Sequence, residues 1–319
     1  QRAPGKVTRG GHEALGRALS EALLAPARDD VVSDSMTHPV HTYPARMHPA
    51  TARLLIDVVT RGEPQGQRIL DPFCGSGTSL VGLPAVGIDL NPLAVMLARA
   101  KTWTAPRPMR ERFRREGRAI AAAVLDQGKR ARRADYEEVA WRGPAGFDPN
   151  ARNRRIGKWF LPHVRRELEA LAARIDAIRA DDPELADILT VPLSAILYKV
   201  SCRRSDTDGT WVERAIARGA AARLFAERVE MLAAGLDDLS RGRGPVPTVI
   251  EADARTMDKQ VEPGTIDAIV SSPPYAGTYD YAETQRLRFD FFGLRHREFD
   301  DREIGARRDF AAAAKSAAA

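Results

Sequence analysis

Two short stretches of this chain carry residue types suited to ligand chemistry. In Asp71-Pro72-Phe73-Cys74-Gly75-Ser76-Gly77-Thr78, a short apolar run ends in a glycine-rich turn. Gly75 and Gly77 let the backbone turn tightly and approach a ligand closely, because no Cβ intervenes. Asp89, near the end of the next apolar run, is placed to accept hydrogen bonds from ribose hydroxyls, as an acidic residue does in dinucleotide sites. The loop departs from the G-x-G-x-x-G fingerprint, and no Walker lysine follows it, which argues against a nucleoside triphosphate. The second stretch, Ser271-Ser272-Pro273-Pro274-Tyr275, closes the apolar run Ile266–Val270 with two prolines and an aromatic ring. Either stretch alone also reads as a structural turn, with the acids as helix caps. Their joint presence, in this order and each after an apolar run, is what argues for chemistry.

The elements that must hold these loops are legible from periodicity. Gln67–Leu70, Ala85–Leu90, Val246–Ile250 and Ile266–Val270 read as strands. Leu54, Leu55, Val58 and Val59 give Thr51–Thr60 a helical spacing. A helix is expected at Pro92–Lys101, capped by Asn91 with proline in its first turn, and another around His12–Leu24. Between Pro106 and Gly244 lies a long helical insert. Its clearest stripe is Val164, Leu168, Leu171, Ile175 and Ile178. Asp182-Pro183-Glu184 starts a further helix, and a third is expected from Glu213 to about Leu239, broken by Arg241-Gly242-Arg243-Gly244-Pro245. Strand, helix and strand again predict an α/β fold, a mainly parallel doubly wound sheet with a large helical insertion. The expected organisation is a lead-in at 1–40, a core at 41–105 and 245–310, and the insertion at 106–244.

Composition sets outer bounds. The chain has 319 residues, a net charge of +6 and a pI of about 9.5, which suits a polyanionic partner. Lys101–Ala170 holds 18 Lys and Arg against 9 Asp and Glu, a larger excess than that of the whole chain. Cys74 and Cys202 are too few for a disulfide framework or a zinc site. No apolar run approaches the roughly 20 residues that span a bilayer. With no signal peptide visible, a cytoplasmic protein is expected.

The two loops together resemble the cofactor and catalytic loops of methyltransferases that use S-adenosylmethionine to methylate an exocyclic amino nitrogen, chiefly on DNA bases. The resemblance covers about 40–101 and 246–308. It implies a Rossmann-like core and S-adenosylmethionine held by Asp71, Pro72, Phe73, Cys74, Gly75, Gly77, Thr78, Asp89, Leu90, Asn91, Asp253 and Ala254. Asp253 resembles the acid that receives the adenine amino group. His41–Pro49 is similar to the segment before the cofactor loop, where Tyr43 would line the methionine end; His41 and His48 read equally as packed or exposed histidines. Catalysis is implied for Ser272, Pro273, Pro274 and Tyr275. An exocyclic amine is a poor nucleophile until its nitrogen pyramidalises, and acceptors for its hydrogens at Ser272 and the Pro273 carbonyl favour that geometry. Tyr275 offers a face to a flipped base.

Serine in the first position leans toward cytosine N4 over adenine N6. The resemblance further implies double-stranded DNA as partner, DNA methylation in a restriction-modification setting, a place for a partner subunit of a modification or defence system, and no membrane. An RNA base amino-methyltransferase and a catalytically silent DNA-binding subunit remain as alternatives. Cytosine C5 methylation needs a cysteine after proline, and neither cysteine follows one. Gly277-Thr278-Tyr279-Asp280-Tyr281, Phe291–Leu294 and Glu303–Arg308 also resemble bacterial DNA methylases. In the insert, Arg130, Arg132, Arg133, Arg152, Arg154, Arg155 and Lys158, with Trp159 and Phe160, read either as a phosphate track or as a solvated helix face. Arg203–Asp208 is expected to approach the active site or the substrate backbone. Two departures stand out. Thr78–Gly87 is too short for a full crossover helix, as though residues had been lost near Val81–Gly82. Ala276–Ala319 reads as helical and charged where the family has further strands, and Ala311–Ala319 reads as a tag, so residues are also expected to be missing after Phe310.

Overall fold

The computed structural model describes residues 8, 10–27, 35–44, 46–130, 155–242, 244–278, 280–294 and 296–307. The expectations for Arg132, Arg133, Arg152, Arg154, Tyr279, Arg308, Ala311–Ala319 and the side chain of Arg130 lie outside the described residues. The chain divides into two units. The first comprises Gln1–Pro39, Ala45–Ala105 and Ala234–Pro273; the second comprises Val40–Pro44, Pro106–Ala233 and Pro274–Ala319. Residues 274–307, which the sequence pattern joins to the core, thus cluster with the insertion.

The first unit is built on four parallel strands, β1 (Ile69–Asp71), β2 (Ala85–Asp89), β3 (Thr248–Glu251) and β4 (Ala268–Ile269), in the order β3-β2-β1-β4. Ile69 pairs with Ala85 on one side and with Ala268 on the other, and Val86 pairs with Thr248. Alternation sends successive side chains to opposite faces. Ile69, Ala85, Val249 and Val270 join Ile56, Leu80, Leu83, Val95 and Ala98 in one buried cluster. Leu70, Val86 and Ile88 form the other, against Ile250, Val261 and Ile266. The helices of this unit are α1 (Glu13–Leu24), α2 (Pro49–Thr60) and α3 (Pro92–Lys101). Local chemistry starts α2 and α3. The His48 ring accepts from the Ala50 N–H at 3.2 Å, the Asn91 side chain accepts from the Leu93 N–H at 2.9 Å, and each helix opens on proline.

The second unit is helical: α4 (Arg107–Arg130), α5 (Pro162–Arg179), α6 (Pro183–Ile196), the greater part of α7 (Ala220–Arg241), α8 (Tyr281–Phe292) and α9 (His296–Arg302). Val164, Leu168, Leu171 and Ile175 are buried as their spacing predicts. At Gly117 of α4 the backbone runs against Val229 of α7, whose Cγ1 would lie 2.6 Å from any added Cβ. The α7 helix starts at Ala220, later than the expected Glu213, because its cap is tertiary. Glu167 of α5 accepts from the N–H groups of Gly219 at 2.6 Å and Ala221 at 3.1 Å. After β4 the described residues hold helices and no further strand. None of the described helices is long and apolar enough to cross a membrane.

Candidate active site

The loops after β1 and β4 both leave the carboxyl ends of neighbouring parallel strands. From β1 the chain continues to β2 on one side, while β4 flanks β1 on the other. Such a reversal of strand order opens a crevice, the usual ligand position in an open α/β sheet.

Asp71, the last residue of β1, is buried and ties the two loops together. Its carboxylate accepts from the Ser271 hydroxyl at 2.7 Å, from the Phe73 N–H at 3.0 Å and from the Ser79 hydroxyl. Burial raises its pKa, and those three hydrogen bonds oppose the rise. Beyond Asp71 the turn has Gly75 at φ +51° and Gly77 at φ +78°. Gly77 also passes over α3, where a Cβ would come within 2.9 Å of the Ala98 Cβ. The Thr78 hydroxyl is buried, with no hydrogen-bond partner among the described residues.

Asp89 closes the turn from the end of β2. One carboxylate oxygen accepts from the Gly75 N–H at 2.8 Å and the other from the Asn91 N–H at 2.8 Å. Burial pushes its pKa up to about 6, against the pull of these two donors. Each oxygen keeps a second lone pair, so ribose hydroxyls remain acceptable donors. Leu90 is half-buried beside it, and Asn91 is the buried cap of α3. Asp253 follows β3 and caps the turn at Ala254. Its carboxylate is clasped by Arg255, with Nη2 at 2.6 Å and Nε at 2.9 Å. Pro72 and Phe73 are half-buried in the turn, and Cys74 is buried. Burial, then the charges of Asp89 and Asp71, lift the Cys74 thiol well above its ordinary value, so it stays protonated and is no nucleophile.

The first unit therefore brings together Asp71, Pro72, Phe73, Cys74, Gly75, Gly77, Thr78, Asp89, Leu90, Asn91, Asp253, Ala254, Ser272 and Pro273. Pro274, Tyr275 and Tyr43 belong to the second unit. There Tyr275 is 50% exposed, and its carbonyl accepts from the Thr278 N–H at 3.0 Å. Two segments that resemble one family also meet, the Gly277 N–H donating to the Gly305 carbonyl at 3.0 Å. His41 is a packed residue, its Nε2 3.0 Å from the Ser194 hydroxyl. Phe160 packs edge-on against Phe291 in the core, and Arg155 pairs with Asp290 at 2.7 Å. Phe160 is therefore a core ring, and Arg155 is engaged by an acid of its own unit.

Two basic residues escape sequence reasoning. Lys101, fully buried at the end of α3, reaches under the glycine turn, with Nζ 3.3 Å from the Ser76 hydroxyl. Burial, then the Arg46 charge, bring its pKa down to about 7. Beside it the buried His38 is driven down to about 3, by burial and then by Lys101, Arg46 and His48. The sequence signal is a lysine one turn after Leu97, on a stripe otherwise apolar. Arg288 of α8 is likewise fully buried, donating to the Gln285 side chain at 2.6 Å and to the Ser194 carbonyl at 3.2 Å over the Tyr198 ring.

Comparison with known proteins gives two relatives. The chain is 44% identical over 72 residues to the Type II methyltransferase M.MvaI of Kocuria varians, a match covering 21% of this chain and 16% of that protein. It is 21% identical over 272 residues to the Type II methyltransferase M.BsoBI of Geobacillus stearothermophilus, covering 73% of this chain and 48% of that protein. The chain thus spans less than half the length of either relative. No family's sequence model matches it, and neither does any solved structure.

Proposed function

We propose that this chain transfers a methyl group from S-adenosylmethionine to an exocyclic amino nitrogen of a DNA base, cytosine N4 ahead of adenine N6. The observation that carries the reading is the Asp71 carboxylate, which accepts from both the glycine turn and Ser271 at the β1–β4 reversal. Similarity to two Type II methyltransferases supports its coarser part, methyl transfer to DNA.

The cofactor-loop residues fit an adenosyl amino acid. Glycines with positive φ allow the tight turn, Asp89 has lone pairs for ribose hydroxyls, and the buried Thr78 hydroxyl is a donor with no acceptor among the described residues. Asp253 would take the adenine amino group. When bound, S-adenosylmethionine supplies an electrophilic methyl group on sulfur. The protein's part is to orient the amine. The Ser272 hydroxyl and the Pro273 carbonyl accept the two amine hydrogens, drawing the nitrogen lone pair out of conjugation with the ring. Tyr275, half-exposed, stacks on the base and holds it out of the duplex. As the N–C bond formed, the methyl–sulfur bond would break with its electron pair left on sulfur, and the nitrogen would lose one proton to solvent, ending as a neutral methylated amine. The Ser-Pro-Pro-Tyr sequence favours the cytosine amine.

The test is incubation with labelled S-adenosylmethionine and unmethylated DNA, followed by nucleoside mass spectrometry, with Ser272→Ala and Tyr275→Ala as controls. N4-methylcytosine that falls at least tenfold in either variant is expected. Label confined to RNA, or cofactor that never binds, would overturn the proposal.

A further inference from the structure

We infer that the hairpin Cys202–Val212 is a nucleotide platform, on which Trp211 stacks an unpaired DNA base while Lys158, Arg204 and Arg214 face the strand's phosphates. The inference rests on the proposed function only in taking DNA as the substrate. The hairpin is built by its own backbone. The Arg204 N–H donates to the Thr210 carbonyl at 2.9 Å, the Val212 N–H to the Cys202 carbonyl at 2.7 Å, and Arg203 bridges Trp211 in antiparallel fashion. Its tip is set by side chains. Ser205 Oγ accepts from the Asp208 N–H at 2.9 Å, and Asp208 accepts from the Thr210 N–H at 2.8 Å.

Trp211 does not behave as a core residue. It is 52% exposed, yet its indole is fixed, Nε1 donating to the Lys158 carbonyl at 3.2 Å. A large aromatic face held in place and turned to water is a ready stacking surface, since base–aromatic stacking needs only a π-face. The cations lie on the same construction. Lys158 Nζ sits 4.7 Å from the Trp159 ring, and Arg214 donates to the Arg204 carbonyl at 3.1 Å, which holds the two arginines together. The Arg204 side chain is 61% exposed, with Asp208 3.5 Å away as a surface pair worth little. Asp206 and Glu213 also lie on this segment, so the positive field is modest and the aromatic face supplies most of the grip.

Position in the fold agrees with that use. Arg203, buried beneath the hairpin, reaches Glu283 in the first turn of α8 at 3.7 Å, and Tyr198 donates to the Thr284 carbonyl at 2.7 Å. The α8 helix directly follows the segment of Tyr275. The hairpin is thereby tied to the helix that follows Tyr275 in the chain.

The test is fluorescence anisotropy of a labelled 20-nucleotide single-stranded DNA with the full chain, alongside cofactor affinity by calorimetry. Trp211→Ala should weaken DNA binding about 5- to 150-fold, the range for loss of one stacked base. Trp211→Phe should stay within about threefold, and cofactor affinity should not change in either. Paired Lys158→Glu and Arg204→Glu changes should lower the slope of log affinity against log salt by about 0.7 per lost phosphate contact. Wild-type binding of the DNA without methyl transfer would sink the proposed function and leave the platform standing. Unchanged DNA affinity in Trp211→Ala, or wild-type binding of an RNA 20-mer alone, or of neither strand, would overturn the platform.

Discussion

Replacing Lys101 by methionine removes a buried charge while keeping an unbranched chain of similar length. The amine lies under the glycine turn, and the fold lowers its pKa from 10.5 to about 7. Below pH 7 the lysine is charged in both folded and unfolded states, and the fold carries the whole desolvation penalty. Between 7 and 10.5 the unfolded chain binds a proton that the folded chain does not, so stability rises with pH by about 1.4 kcal/mol per unit. The full span corresponds to about 5 kcal/mol. Against this, the variant loses the hydrogen bond to Ser76, about 1 kcal/mol. Lys101→Met should therefore be more stable than wild type by up to about 4 kcal/mol at pH 6, with the two converging at about pH 9.8. Urea unfolding of both proteins at each pH measures this, and taking the difference cancels the titrating groups that do not sense Lys101; His38, which does, is followed separately by its own titration. A gap that stays constant across that range would refute the reasoning.

Two further outcomes follow from the glycine turn. Asp89 has a pKa of about 6, and its ionised form is the acceptor for ribose hydroxyls. Cofactor affinity measured by calorimetry should be level above pH 6 and fall about tenfold per unit below it. Asp89→Asn should bind weakly with no such slope, and a level wild-type profile from pH 5 to 7 would remove Asp89 from that role. Gly77→Ala meets both a φ of +78° and Ala98 at 2.9 Å, whereas Gly62→Ala meets a φ of +81° and open space. Thermal unfolding should show about 1 kcal/mol lost at Gly62 and about 2 to 4 kcal/mol at Gly77. Equal losses would mean that α3 gives way.

The sequence was most informative where a residue's environment is made by its near neighbours. The caps at Asn91 and Asp182 sit within three residues of the N–H groups from which they accept. The glycine turn and Asp89 were legible for a similar reason, because strand ends and turn glycines announce themselves over a few residues. What escaped depends on distant partners. Glu167, far back in the chain, decides where α7 begins. Lys101 looks like an ordinary basic residue at a helix end until Ser76, Thr37 and Arg46 close around it. Trp211 is half-exposed, with its indole held by the distant Lys158 carbonyl. Phe160 is buried for the same kind of reason, since its ring partner, Phe291, lies far along the chain.

The segment between β1 and β2 looked deficient because parallel neighbours usually need a crossover helix, both to return the chain and to cover the sheet. Here the two tasks are separated. The return is short because β1 has only three residues, so Pro72–Pro84 suffices, with one 3₁₀ turn at Thr78–Leu80. The Ile69 N–H, at the start of β1, already donates to the Pro84 carbonyl at 3.0 Å. The cover comes from elsewhere. Ile56 of α2, which precedes β1 in sequence, packs with Leu80 and Leu83 over Ile69, Ala85 and Val270. Gly87 of β2 makes this possible. Any Cβ there would collide with Leu80, and it would stand 2.9 Å from Cys74 Sγ. The tight return therefore requires a glycine opposite it in β2, and that same compression draws the glycine turn back over the strand ends, where Asp89 can hold it.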